Sequence, residues 1–322
     1  MKTSLKKILS IILPLGLGVF LVYFAYNQFS EQQLLEIKLQ FKNANYNFIL
    51  IASFFSIISL AARAYRWKYS LNYMGYTSNF ANNFMAVSIG YIMNLTVPRS
   101  GEISRALVLK NYKNIPFDKG LGSIISERVI DFILLLAFMF TALVIQFTTL
   151  KDFVLENIPV EKILYLITVL IICGVIGVYL LFYTQIKLMV TIRTKIKGLT
   201  EGVLSVFQMP KRQSFLFYTF IIWASYVATF YFGLKTLPET SSLTLGSIIS
   251  TFVVGSLAVT FTNGGFGAFP LMIAQILLLY GVSLTSGTAV GWIVWSSQTA
   301  IVIILGGLSF IFLPIFNKKI KI

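Results

Sequence analysis

Histidine is absent from all 322 residues, and cysteine occurs once. The first absence excludes a Ser-His-Asp triad, His-based proton transfer and His-rich zinc sites. The second excludes an intrachain disulfide, and Cys173, inside the apolar run Ile163 to Phe182, reads as a packing residue. Charge is scarce as well: 11% of residues, against about 25% in soluble domains. Only 11 residues are acidic, and no D-x-D pair exists to anchor a metal-bound sugar nucleotide. Neither a metal nor a cofactor is called for.

What remains is apolar. Hydrophobic residues make up 57% of the chain and aromatic residues 15%, and mean hydropathy is +0.82. Several runs lack charge over roughly the 20 residues a helix needs to cross a bilayer. The fold class expected is therefore an all-α polytopic membrane protein, a single integral membrane domain. Full spans are expected at Ile8–Tyr26, Asn47–Ala62, Leu121–Phe147, Ile163–Phe182, Phe215–Leu234 and Thr288–Leu313. The first reads as an uncleaved helix, because it exceeds an h-region of about 7–15 residues and no A-x-A site follows.

Two regions, Phe84–Asn111 and Ser247–Tyr280, are short apolar pieces interrupted by Pro and Gly. Phe84–Val97 would reach only about 21 Å as a helix, so the first region is expected to be a re-entrant hairpin; the second is expected to be a hairpin as well, with two thin full spans as the alternative of equal topology. The charges then sort to one side. Facing the cytoplasm would be Lys2, Lys6 and Lys7, a stretch Arg63–Lys119 with eight basic and two acidic residues, another from Lys187 to Arg212 with six and one, and Lys318, Lys319 and Lys321. Both termini would be cytoplasmic. A net charge of +15 would suggest nucleic acid in a soluble protein, but this sorting assigns it to a membrane surface and makes lipids the expected partners. Arg63, Arg66 and Lys68, interleaved with Tyr65, Trp67 and Tyr69, read as a headgroup-anchoring belt. The loop "KLMVTIRTKIKGLTEG" reads as an interfacial helix.

Displacing the chain by 166 residues lays one hairpin and span over the other, giving a first repeat of about 47–147 and a second of about 215–313. An odd number of crossings separates the copies, so the repeat is inverted, a plan in which broken helices meet at a midplane site. Breaks of this kind are tolerated only where buried in protein or facing a wet cavity. In "VPRSGEISR", Pro98 ends one helix and Ser100 is expected to cap the next, leaving free N–H groups beside Arg99 as an anion site. Glu102 and Arg105 are three apart and expected to pair, with Arg99 free for a phosphate. In "ISERVID", Glu127, Arg128 and Asp131 share one side of a span, which requires partners or water. They are counter-charges for Arg99 or Arg105, a proton carrier coupling transport, or a static lock. In "FTNGGFGAFP", Asn263, Gly264, Gly265 and Gly267 form either an anion-binding nest or a plain turn.

The order P-x-x-G-E-x-x-R, then E-R-x-x-D, then "TNGGFGAFPLMIAQILLLYGVSLTSG" resembles the lysylphosphatidylglycerol synthase transmembrane family, also called UPF0104. The resemblance covers nearly the whole chain. It implies a lipid translocase like the flippase half of the multiple peptide resistance factor, in a bacterial inner membrane, with Glu102, Arg105, Glu127, Arg128, Asp131 and the glycines in the motif positions. Nine residues follow Leu313, so no soluble transferase domain is expected and an enzyme is not. Two rivals stand beside this reading: a secondary permease for a small solute, and a membrane component of a polyprenyl-linked glycan pathway. Homo-oligomerisation and a separate lipid-modifying enzyme remain open partners.

Overall fold

In a computed structural model the apolar runs become helices whose ends follow their caps. It describes residues 16, 18–27, 29–97, 99–149, 151, 160–185, 189–190, 193 and 208–318. Lys2, Lys6 and Lys7, the start of the first expected span, Pro98, the loop 152–159, nearly all of the expected interfacial helix 187–202, and Lys319 and Lys321 lie outside the described residues.

Every described element is a helix. In chain order they are α1 (Gly18–Asn27), α2 (Glu31–Asn43), α3 (Tyr46–Tyr73), α4 (Phe80–Thr96), α5 (Ser100–Lys113), α6 (Phe117–Ile145), α7 (Val160–Tyr183), α8 (Arg212–Leu234), α9 (Pro238–Ser241), α10 (Leu245–Phe261), α11 (Ala268–Leu278) and α12 (Leu284–Asn317). Among the described residues α3, α6, α8 and α12 are long and apolar enough to cross a membrane, and the 24-residue α7 has the length as well. α3 differs from expectation: it continues past Ala62 to Tyr73 and carries Arg63 and Arg66 with it. Cys173, expected to pack, is exposed on α7.

Both interrupted regions form pairs of packed helices. α4 has 17 residues and α11 has 11, about 25 and 16 Å of helix, against roughly 30 Å of hydrocarbon. Gly101 N–H donates to Asn94 Oδ1 at 2.7 Å, which lays α5 antiparallel on α4. In the second hairpin the Tyr280 end of α11 returns to the Ser250 level of α10.

Inversion shows in the pairings between the copies. α3 and α8 open the two repeats and run antiparallel: Asn45 N–H donates to Thr236 O at one end, Arg66 reaches Thr219 near the other, and Tyr73 donates to Gln208 beyond it. α4 lies on α12, with Asn317 Nδ2 on Asn82 Oδ1 and the Cβ space of Gly306 filled by Ile92. The exchanged pair, α10 on α6, matches it through Phe138 and Phe252, whose centroids are 5.4 Å apart. Each repeat has its own apolar core, one around Trp67, Ile89, Leu109 and Ile124 and the other around Phe269, Ile273, Val290 and Ile293. Ile222, Trp223 and Phe252 join them.

The two breaks meet. Asn263, in the second break, donates from Nδ2 to the carbonyl of Leu95 at 2.8 Å, satisfying an acceptor in the last turn of α4 that the helix leaves unpaired. Gly264 packs on the Leu95 side chain.

Candidate functional site

One face of α3 is polar through the middle of the span. Ser56, Ser59, Arg63, Arg66 and Ser70 recur at spacings of three and four, and all are buried. Arg66 is 0% exposed and Arg63 2%, so neither anchors a headgroup belt. The reason is their partner. On α6, Glu127 and Asp131 are four apart and face α3.

Asp131 holds three guanidinium groups. Arg63 Nη1 donates to Oδ2 at 2.7 Å, and Arg66 binds both oxygens, from Nη1 to Oδ1 at 2.7 Å and from Nη2 to Oδ2 at 3.1 Å. Arg128 lies 3.7 Å from Oδ2. The second nitrogen of Arg63 donates to Tyr226 Oη at 2.8 Å, and that hydroxyl shares a hydrogen bond with Tyr91 at 3.1 Å. Four helices, α3, α4, α6 and α8, are thereby tied at one level.

Glu127, fully buried, takes Arg105 Nη2 at 3.0 Å and has Arg66 Nε at 3.8 Å. The Arg105 guanidinium lies over the Trp67 ring at 4.0 Å. Glu102 pairs with Arg128, Nε to Oε1 at 3.2 Å. Two expectations are corrected. Arg105 is not held by Glu102: burial against Trp67 turns it toward α6, while Glu102 sits at the edge of α5 nearer Arg128. Ser100 is not the cap either. Arg99 is the N-cap residue of α5, and the Ser100 hydroxyl donates backward to the carbonyls of Met93 and Val97.

The cluster is charged asymmetrically. Four arginines (63, 66, 105 and 128) face three carboxylates (Glu102, Glu127 and Asp131). Arg105 Nε and Nη1, both buried, have no hydrogen-bond partner among the described residues. A buried cation of this kind favours an anion. Accessibility grades outward, from Glu127 at 0% to the side chains of Glu102 at 24% and Arg128 at 38%. The Glu102–Arg128 pair lies between exposed apolar side chains, Ile103 and Leu107 on α5 and Ile125 and Phe132 on α6. The pair is the partly exposed edge of the cluster.

Arg99 is exposed and pairs with no carboxylate among the described residues. Its φ of 62° is left-handed, a conformation that costs an L-residue about 1–2 kcal/mol. Arg99→Gly should relieve this and lose about 0.5–1 kcal/mol to chain entropy, leaving the melting temperature unchanged or slightly raised. Arg99→Val, β-branched, should lower it. Equal melting curves for the two variants would show that the break does not hold this conformation.

The second break is a packed turn. Gly264, Gly265 and Gly267 all have positive φ. Gly265 N–H is taken by Thr262 Oγ1, and Gly264 O accepts from Trp295 Nε1 at 2.8 Å. A Cβ on Gly267 would stand 2.5 Å from Gly18 O of α1. With these groups engaged, the glycine run serves close packing, and charge gathers only around the first break.

Residues 11–307 match the family described as "Lysylphosphatidylglycerol synthase TM region". The chain is also similar to UPF0104 membrane protein MJ1595 of Methanocaldococcus jannaschii, 30% identical over 114 residues, which is 34% of this chain and about a third (33%) of that protein's length. No solved structure matches the chain.

Proposed function

Since the chain belongs to the lysylphosphatidylglycerol synthase transmembrane-region family, a multi-pass membrane family, we propose that it is a lipid translocase that carries an anionic headgroup past the α3–α5–α6 cluster. The observation that carries this reading is the Glu102–Arg128 pair, ionic yet rimmed by exposed Ile103, Leu107, Ile125 and Phe132. A small-solute permease needs a site closed to lipid, whereas a headgroup carrier needs one that opens to the bilayer. Arg105 supplies the unmatched donors, Glu127 holds it, and Arg128 with Glu102 forms the lateral entrance.

The carrier works without covalent chemistry, and the cell membrane is its proposed location. With Arg63, Arg66 and Arg105 in ion pairs and Arg99 at the break, the end of the bundle that holds Tyr73 and Lys119 keeps Lys68, Lys110, Lys113 and Lys119 against Asp118. That remaining excess supports a cytoplasmic placement of this end.

Headgroup-labelled lipid in proteoliposomes tests the assignment. Arg105→Ala removes a charge-assisted contact of about 1.5–3 kcal/mol, so flipping of an anionic lipid should fall about 10- to 100-fold. Glu127→Gln should lower it as well. Wild-type rates in both variants would end this reading.

A further inference from the structure

Below the cluster, at the Lys119 end, lies a second cleft of about 330 Å³. Ser70, Asp118, Lys119, Ser123 and Ser126 bring polar groups to a lining that Tyr73, Met74 and Met209 keep largely apolar. Three features of it point to a ligand. Ser70 is 2% exposed, and its hydroxyl has no partner among the described residues. Asp118 and Lys119 stand in the first turn of the 29-residue α6. The first backbone N–H bond recorded there is Gly120 to Pro116 O, so the preceding N–H groups and the positive end of the helix dipole stay available. The side chain of Lys119 is exposed at the mouth.

The cleft is linked to the cluster by one layer. Ser123 accepts the Trp67 Nε1–H at 2.8 Å, and the other face of the chain of contacts is Arg105, 4.0 Å from the Trp67 ring. A buried indole therefore separates the cleft at the end of the bundle from the Arg105 guanidinium, whose Nε and Nη1 lack a partner among the described residues.

We propose that this cleft is a binding site for a phosphate ester, with Lys119, the α6 N-terminus and the Ser70 hydroxyl as its donors and Trp67 as the partition between it and Arg105. Asp118, the one carboxylate in the lining, offers a partner for an amine on the same headgroup. The proposal deepens the translocase reading and rests on it for the role of the site, as the place where a headgroup waits before it meets the cluster. A lipid headgroup and a soluble phosphate ester share the chemistry.

Thiol protection tests the site on the whole chain in detergent. Gly122 lines the cleft, and a Cβ there meets nothing within 4 Å, so Gly122→Cys in a Cys173→Ser background places a label without crowding. Ser126→Cys is the second position. A charged thiol reagent is applied with dihexanoyl phosphatidylglycerol below its micelle concentration, or with glycerol 3-phosphate. Labelling should slow several-fold with at least one probe, and a Ser70→Ala/Lys119→Ala background that melts like the parent should abolish the protection. Protection by the short-chain lipid alone identifies a lipid headgroup, and protection by glycerol 3-phosphate identifies the ester as sufficient. Equal labelling rates with and without both probes at both positions would overturn the proposal. Protection without flipping would leave the site standing and sink the translocase reading; flipping without protection would sink the site alone.

Discussion

Asp131→Ala should cost about 3–5 kcal/mol of stability, the range for breaking a buried ion pair by deleting one partner. Arg63 and Arg66, at 2% and 0% exposure, both end on this carboxylate, and alanine strands them inside the bundle. Thr219 and Tyr226 accept from them but carry no charge. Asp131→Asn keeps the shape and loses the charge, so its melting temperature should fall nearly as far. The informative control replaces the whole set. Arg63→Met/Arg66→Leu/Asp131→Leu removes three charges together and should recover much of the loss, because apolar replacement of a buried ionic triad is often neutral or stabilising. Thermal unfolding of the detergent-solubilised protein reads all three. An Asp131→Ala variant that melts with the wild type would show that this carboxylate does not clamp α3 to α6.

The breaks in the two hairpins were legible because "TVPRSG" and "FTNGGFG" interrupt apolar runs that are short for a full span. The facing of Glu127 and Asp131 was legible too, since four residues on one helix share a side whatever packs against it. Arg63 and Arg66 were not. Their aromatic neighbours and their place after an apolar run matched an interfacial belt, and position outweighed spacing. Yet the signal was in the chain: Ser56, Ser59, Arg63, Arg66 and Ser70 form a three-four stripe that continues the buried face of α3. The Glu102–Arg105 expectation failed for a different reason. An i,i+3 rule describes a helix alone in water, whereas Arg105 is buried between Trp67 and Glu127 of other helices.

Inversion also explains where charge is missing. At the displacement of 166 residues Arg63 falls on Thr229, and Asp131 falls one residue short of Gln298. In the second copy these two meet at Ser56, whose hydroxyl donates to Gln298 Oε1 and shares a hydrogen bond with Thr229 at 3.3 Å. The same junction is thus built twice, once ionic and once neutral. Among the described residues the neutral copy has no excess cation to hold an anion, so a headgroup crossing the bundle would meet strong attraction on one half of its path. Such asymmetry suits a carrier, which has to release what it binds.

Gly101→Ala should have an effect on flipping comparable to Arg105→Ala while leaving every charged side chain in place. α4 and α5 touch backbone to backbone at Gly90 and Gly101. A Cβ on Gly101 would collide with the Gly90 carbonyl oxygen and stand 2.7 Å from Asn94 Nδ2. Asn94 is also the acceptor for the Gly101 N–H, so relief by rotating that side chain gives up a cap of α5. The remaining escape is for α5 to move outward, and Arg105 rides on it one turn away. Overpacking of this kind costs about 1–3 kcal/mol, and a shift of the helix lengthens the 3.0 Å contact from Arg105 to Glu127. Small residues at helix crossings are the usual means by which membrane helices approach this closely. Gly307→Ala is the matched control, because a Cβ there meets nothing within 4 Å. Melting temperature and proteoliposome flipping should both fall for Gly101→Ala and neither for Gly307→Ala. Wild-type flipping by a Gly101→Ala protein that melts normally would mean that the α4–α5 crossing does not set the position of Arg105, and the geometry argued for the carrier would lose its support.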